Sequence, residues 1–179
     1  MSDANGAGRA CVFFDRDGIV NASPGPGYVE RLADFHLLPA FLDALRVTRE
    51  RGYEAVIVTN QRGVGLGLMT QETLDEIHAA LRDAVNEAGL DLLAIYYCTA
   101  NDNAHPNRKP NPGMLLEAAS RYGLDLSRSW MVGDNEKDVQ AGRAAGCRTV
   151  LVNASDQPTA ADYRLADMEQ LADFFESNL

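Results

Sequence analysis

Long hydrophobic runs are missing: no apolar stretch approaches the roughly 20 residues that cross a bilayer, which argues against a helical membrane span. Residues 1–10 hold Asp, Asn, Gly and one Arg but no apolar core, so no signal peptide is expected and the expected compartment is the cytoplasm. Repeats and internal linkers are missing too; the chain reads as one domain over 1–179, with residues 1–8 loose. Cysteine is sparse. Cys11, Cys98 and Cys147 form an odd, widely spaced set that argues against a disulfide framework and for buried reduced thiols. Lysine is sparser: of 16 basic residues only Lys109 and Lys137 are lysines, so each calls for a specific reason. Positive charge as a whole is short, with 26 acidic against 16 basic residues and a net charge of −10. A field of that sign repels nucleic acid and anionic membranes, and no basic stripe offsets it. A phosphorylated substrate would need local neutralisation by a metal or by placed cations. What is present is a globular composition, 46% hydrophobic and 23% charged, which excludes a disordered or fibrous chain.

Short β-rich runs alternate with helical stretches. Ala10 to Phe14 is a continuous apolar run ending at Asp15, as in a strand buried on both faces. Ala40 to Glu50 reads as an amphipathic helix stopped at Gly52, and Ala55 to Thr59 as a second buried strand. A glycine-rich loop, Asn60 to Gly67, leads to Thr70, the N-cap of a helix with Leu74, Ile77, Leu81 and Val85 on one face. Leu92 to Tyr97 is a third strand, and a polar loop fills Thr99 to Pro110. Asn111-Pro112 reads as N-cap and first-turn proline of a helix running through Tyr122. Ser129 to Gly133 is a fourth strand ending at Asp134, then a short helix reaches Gly146 and Thr149 to Val152 is a fifth strand. A weak strand near Tyr163 to Leu165 and a helix from about Met168 close the chain.

Strands separated by helices imply crossover units, hence an α/β fold with a doubly wound, mostly parallel sheet covered on both faces. Ligands of such sheets bind beyond the carboxyl ends of the strands. Those ends carry Asp15 and Asp17, Thr59 and Asn60, and Asp134, with Lys109 in a loop on the same edge. Three carboxylates at close range are normally stabilised by a hard cation with oxygen ligands, most often Mg²⁺. A threonine hydroxyl and a lysine ammonium suit phosphoryl oxygens. One Asp can act as nucleophile, and a second, two residues on, as acid and then base. Singly these residues also fit turns, caps and solvated surface; together at one sheet edge they point to phosphoryl transfer.

Phe14-Asp15-Arg16-Asp17-Gly18, Val58-Thr59-Asn60-Gln61, Arg108-Lys109-Pro110 and Gly133-Asp134-Asn135-Glu136-Lys137-Asp138 resemble the four motifs of the haloacid dehalogenase (HAD) superfamily of phosphatases. Gly27-Tyr28-Val29, Tyr96-Tyr97-Cys98 and Pro112-Gly113-Met114-Leu115 narrow the resemblance to the heptose-bisphosphate and histidinol-phosphate phosphatases, over residues 11 to about 152. The resemblance implies Asp15 as nucleophile and Asp17 as general acid/base, with Thr59 and Lys109 holding the transferring phosphoryl. It implies a Mg²⁺ site of Asp15, the backbone carbonyl of Asp17, and Asp134. Substrate contacts would fall on Gly27, Tyr28, Asn60, Gln61, Arg62, Arg108 and Asn135. Asp138 would anchor Lys109 or a water, or else be an exposed acid of a first helical turn.

The sequence departs from that pattern in two places. Relatives carry a zinc loop, but here it holds only Cys98 and His105, with Pro106 and Asn107 before Arg108. Two ligands cannot build a four-coordinate structural site, so no structural zinc is expected. In the glycine loop, Leu66 stands where relatives often place an Arg. Neither the 17–59 gap nor the 98–109 gap holds a cap domain. The expected partner is a small phosphorylated metabolite, most simply a sugar bisphosphate such as D-glycero-D-manno-heptose 1,7-bisphosphate; histidinol phosphate is the alternative substrate. A receiver-type phosphoacceptor would place its Asp after the third strand, where Cys98 stands here. Intact Asp15 and Asp17 disfavour a silent phosphosugar-binding module. The acidic surface disfavours a nucleic-acid 3′-phosphatase.

Overall fold

The computed structural model describes residues 8–179; residues 1–7, part of the segment expected to be loose, lie outside the described residues. Six strands form a single all-parallel sheet in the order β3-β2-β1-β4-β5-β6. They are β1 (Cys11–Phe14), β2 (Glu54–Asn60), β3 (Ala94–Cys98), β4 (Trp130–Gly133), β5 (Arg148–Val152) and β6 (Tyr163–Leu165). The helices are α1 (Pro39–Glu50), α2 (Arg62–Gly65), α3 (Gln71–Glu87), α4 (Gly113–Tyr122), α5 (Glu136–Ala145) and α6 (Leu171–Asn178).

Successive residues of a strand point to opposite faces, and here both faces are covered. Val12, Phe14, Ala55, Ile57, Trp130 and Val132 pack with α1, α3 and α6 through Phe41, Leu45, Leu81, Leu171 and Phe175. Their neighbours Cys11, Phe13, Val56, Val58 and Met131 pack with α4 and α5 through Met114, Leu115, Ala118 and Ala141. Two buried faces explain why these strands read as continuous apolar runs rather than alternating ones. The three cysteines are buried and unpaired. No helix is long and apolar enough to cross a membrane, among the described residues.

The chain runs outward from β1 to β2 and β3, then returns to place β4 on the other side of β1. Such a reversal opens a crevice at the carboxyl ends of the two central strands. Asp15 follows β1 and Asp134 follows β4. Between β1 and β2 lie only a loop, one 3₁₀ turn (Leu32–Asp34) and α1, so no cap domain covers this crevice from that insertion.

Two local expectations are corrected. The glycine-rich loop contains a helical turn, α2, because its glycines let it pack closely: a Cβ on Gly65 would collide with the Thr99 carbonyl, and one on Gly63 would stand 3.3 Å from the Tyr28 ring. α4 begins one residue later than expected, with Pro112 at the N-cap. Asn111 does not cap it; its amide donates to the carbonyls of Asn103 and His105, at 3.0 Å each, and closes the preceding loop instead. α5 is capped by Asn135.

Candidate active site

Lys109 organises the crevice. It is 2% exposed, and its Nζ donates to Asp15 Oδ1 at 2.8 Å and to the Val58 carbonyl at 2.8 Å. It lies 2.7 Å from Asp138 Oδ1. An ammonium has three donors, so all are engaged. Burial opposes its charge, but Asp138 and Asp15 more than offset this and hold the ammonium above its ordinary value. Asn60 fixes the lysine backbone: its Oδ1 accepts from Lys109 N at 3.0 Å, and its Nδ2 donates to the Lys109 carbonyl at 2.9 Å. Asp138 is 2% exposed and belongs to a capping box with Asn135. The alternative of an exposed first-turn acid is therefore set aside, and Asp138 anchors Lys109.

Asp15 Oδ1 also accepts from the Arg16 backbone N–H at 2.7 Å. Burial, with Asp138 next, pushes the Asp15 carboxyl up to about 7 against the pull of Lys109. Asp134 is likewise raised to about 6 by burial and then Asp138. Its carboxylate accepts no side-chain hydrogen bond among the described residues. Gly18, at φ +89°, makes room for it, since a Cβ there would collide with the Asp134 carboxylate. Asp15, Asp134 and Asp138 offer oxygens within 4.8 Å of one another. This is a surplus of negative charge that one lysine does not balance, and the all-oxygen donor set fits a hard divalent cation. Asp138 is already engaged by Lys109 and by the Asn135 N–H at 3.1 Å, which leaves Asp15 and Asp134 as the available carboxylates.

Asp17 is held from behind. Its Oδ1 accepts from Arg16 Nε at 3.1 Å, Arg16 Nη2 at 3.0 Å and Asn21 Nδ2 at 3.0 Å. Its Oδ2 accepts from Gln61 Nε2 at 3.2 Å. Gln61 also donates to Thr59 Oγ1 at 2.8 Å and accepts from Arg16 Nη2 at 3.1 Å. Gln61 thus braces Asp17 and Thr59 and does not line the cleft, whereas Asn60 lines it while holding Lys109. Behind Arg16, which is 0% exposed, His78 Nε2 lies 3.3 Å from Arg16 Nη1. Burial, then the Arg16 charge, push the His78 imidazole down to about 4, so it is neutral at pH 7.

A cleft of about 400 Å³ opens over Asp15, Asp17 and Asp134. One wall is the Ser23–Tyr28 loop, which includes Gly27; the rim carries Arg62, Arg108, Asn135 and Lys137. Arg108 is mostly buried and donates from Nε to Asn103 Oδ1 at 3.1 Å and from Nη1 to the Ala100 carbonyl at 3.2 Å. Arg62 Nε is buried without a hydrogen-bond partner among the described residues. Asn135 accepts from Lys137 N at 3.1 Å as the cap of α5. In the loop after β3, Cys98 Sγ lies 3.6 Å from His105 Nδ1.

Arg16, Asn21, His78 and Lys137 were not assigned from sequence. Arg16 gave a signal, an arginine between two functional aspartates. So did His78, a polar residue four after Leu74 and three before Leu81 on the apolar stripe of α3.

A carboxylate cluster, a buried lysine and a threonine at the reversal point of a parallel sheet define a phosphoryl-transfer centre. Comparison with known proteins agrees. The HAD-hydrolase-like family profile matches residues 106–173. A D-glycero-beta-D-manno-heptose-1,7-bisphosphate 7-phosphatase of Pseudomonas aeruginosa is 36% identical over 145 residues, 80% of this chain and 81% of that protein. The protein of the same description from Yersinia pestis is 36% identical over 177 residues, 90% and 91% of the two chains. The crystal structure of a D,D-heptose 1,7-bisphosphate phosphatase from B. bronchiseptica, complexed with magnesium and phosphate, superposes with a TM-score of 0.84 at 29% identity, covering 95% of this chain and 99% of that one. The chain belongs to the HAD family of hydrolases. Within it, the chain is a phosphatase.

Proposed function

We propose that this enzyme hydrolyses a small sugar bisphosphate of the D-glycero-D-manno-heptose 1,7-bisphosphate type through a phosphoryl intermediate on Asp15. The observation that carries this reading is Lys109, fixed between Asp15 and Asp138 beneath a cleft whose rim bears further cations. Asp15 Oδ1 accepts from Lys109 and the Arg16 N–H, which holds the carboxylate in place for attack on phosphorus. As the Asp15–phosphorus bond forms, the bond to the leaving oxygen breaks and Asp17 supplies its proton. Asp17 then takes a proton from water, which attacks the intermediate and releases inorganic phosphate. Thr59 Oγ1 accepts from Gln61, so its own proton is free to be donated to a phosphoryl oxygen.

Asp15, Asp134 and the Asp17 backbone carbonyl would hold Mg²⁺, which supplies charge neutralisation at the phosphoryl group. With Lys109 saturated, a second phosphate would be met by the rim. Arg108 lines the cleft with Nη2 uncommitted, and Arg62 also lines it. The relatives' substrate and the two rim arginines both support a bisphosphate. Steady-state turnover on heptose 1,7-bisphosphate, histidinol phosphate and common sugar monophosphates tests the reading. The bisphosphate is expected to give the highest kcat/KM; preference for histidinol phosphate would transfer the assignment to that substrate.

A further inference from the structure

We infer that His78 is a positioning residue for Asp17, acting through Arg16: the imidazole of α3 accepts from Arg16 Nη1 and so sets the angle at which the guanidinium holds the Asp17 carboxylate. The inference rests on the reading of Asp17 as the general acid.

The geometry leaves Arg16 little freedom. Its side chain is fully buried. Nε and Nη2 reach Asp17, Nη2 also reaches Gln61, and Nη1 reaches His78 at 3.3 Å. A guanidinium only donates hydrogen bonds, so His78 Nε2 must be the unprotonated acceptor, with the proton on Nδ1. The low basicity of the ring fits that form. His78 is in turn held by α3, where Leu74, Ile77 and Leu81 are buried around it, and by the Tyr97 ring 5.4 Å away. Two rigid elements therefore fix one carboxylate: α3 through His78 and Arg16, and the end of β2 through Gln61. Removing the acceptor leaves a buried donor unpaired. The guanidinium must then turn toward Asp17, Gln61 or an entering water, and each of these alters the grip on the acid.

General-acid help matters for a poor leaving group and hardly at all for a good one. kcat/KM reports the steps through phosphoryl transfer, before water attacks. The test compares heptose 1,7-bisphosphate, whose alkoxide leaves badly, with 2,4-dinitrophenyl phosphate, whose phenolate leaves unaided. Asp17→Asn serves as reference and is expected to lose at least a hundredfold in kcat/KM on the sugar and much less on the aryl ester. His78→Leu is expected to lose about tenfold on the sugar and no more than twofold on the aryl ester. His78→Gln, which restores an acceptor, should recover to within threefold on both.

A role confined to folding would lower both esters alike by reducing the active fraction, so equal losses in His78→Leu overturn the inference. An unchanged ratio in His78→Leu while Asp17→Asn discriminates overturns it as well, and leaves Asp17 as the acid. If Asp17→Asn affects both esters equally, the reading of Asp17 fails and the inference with it. His78→Met, of similar bulk and no comparable acceptor, is measured in place of His78→Leu if that variant does not fold.

Discussion

Asn60 and Lys109 pair reciprocally, the amide of one accepting from the backbone N–H and donating to the carbonyl of the other at 3.0 and 2.9 Å. A surface loop thereby acquires a fixed distance to the end of β2, and the lysine side chain it carries reaches Asp15 from a defined origin. Asn60→Ala removes both bonds. Leaving part-buried backbone groups unpaired costs about 1–3 kcal/mol, and the freed loop should lower kcat by roughly tenfold to a hundredfold. Thermal unfolding and steady-state kinetics check this; wild-type kcat with a lowered Tm would mean that the clamp serves the fold alone.

Asp15→Asn keeps the shape of the side chain and removes its nucleophilicity. Turnover on any phosphate ester should disappear while the circular dichroism spectrum is retained, because Asp15 contributes to the crevice and not to the apolar layers. Rapid acid quench of wild type with labelled substrate should trap phosphate on the protein, and of this variant none. Retained activity in Asp15→Asn would rule out the covalent route.

Asp15 and Asp134 stand at about 7 and about 6, above the ordinary carboxylate value near 4. A raised value means that the folded protein binds protons the unfolded chain has released. The stability this contributes is complete below about pH 4 and is lost as pH rises through 6 and 7. Mg²⁺ competes for the same oxygens, so its stabilisation should be larger at pH 8 than at pH 5.5. At a hundredfold excess over Kd it amounts to about 2.7 kcal/mol. Calorimetry of chelator-treated protein with and without Mg²⁺ measures this, and equal shifts at the two pH values would contradict it. Elemental analysis of protein prepared without chelator is expected to show no stoichiometric zinc; about one tightly held zinc per chain would contradict this.

His78 has the opposite linkage. Its pKa falls from 6.5 to about 4 on folding, so the unfolded chain takes up the proton first. Stability from this residue is present above about pH 6.5 and is lost as pH falls toward 4, by about 3 kcal/mol in all. Denaturant titrations of wild type and His78→Gln over that interval should diverge by this amount, wild type losing more. Parallel curves would show that the imidazole ionises normally in the fold.

Arg108 uses two of its donors to hold the loop after β3 and keeps one edge for the cleft. Arg108→Ala should cost a sugar bisphosphate about 1.5–3 kcal/mol in kcat/KM, roughly tenfold to a hundredfold or more, and the corresponding monophosphate less. Equal losses for the two substrates would assign Arg108 to the loop and the common phosphoryl site.

Most of the fold was legible because two buried faces leave continuous apolar runs, and because Gly52, Thr70 and Gly146 mark helix ends with unambiguous chemistry. Thr70 indeed accepts from Thr73 N. The start of α4 was misplaced because Asn111 offers cap chemistry that the neighbouring loop carbonyls claim first. In the site, Asp15, Asp17, Asp134 and Lys109 stand at strand ends or on one edge and could be gathered from topology alone. Arg16 and His78 could not, because their partners lie 45 and 62 residues away from Arg16 on elements whose relative rotation no spacing reveals. Gln61 was assigned to substrate for the same reason: a strand end fixes a residue's position, and the direction of its amide depends on what is packed beneath.

The strict alternation of β1 between the two helical layers has a consequence for how this chain tolerates change. Cys11 to Phe14 contribute two residues to each layer, and Asp15 continues the same pleat, its N–H donating to the Val132 carbonyl at 2.9 Å. Inserting or deleting one residue within this strand would exchange the layers that Phe13 and Phe14 fill and rotate Asp15 away from Lys109 in the same stroke. Length in this segment is therefore under joint control of the core and the reaction, whereas the Ser23–Tyr28 loop can be lengthened at the cost of substrate fit alone.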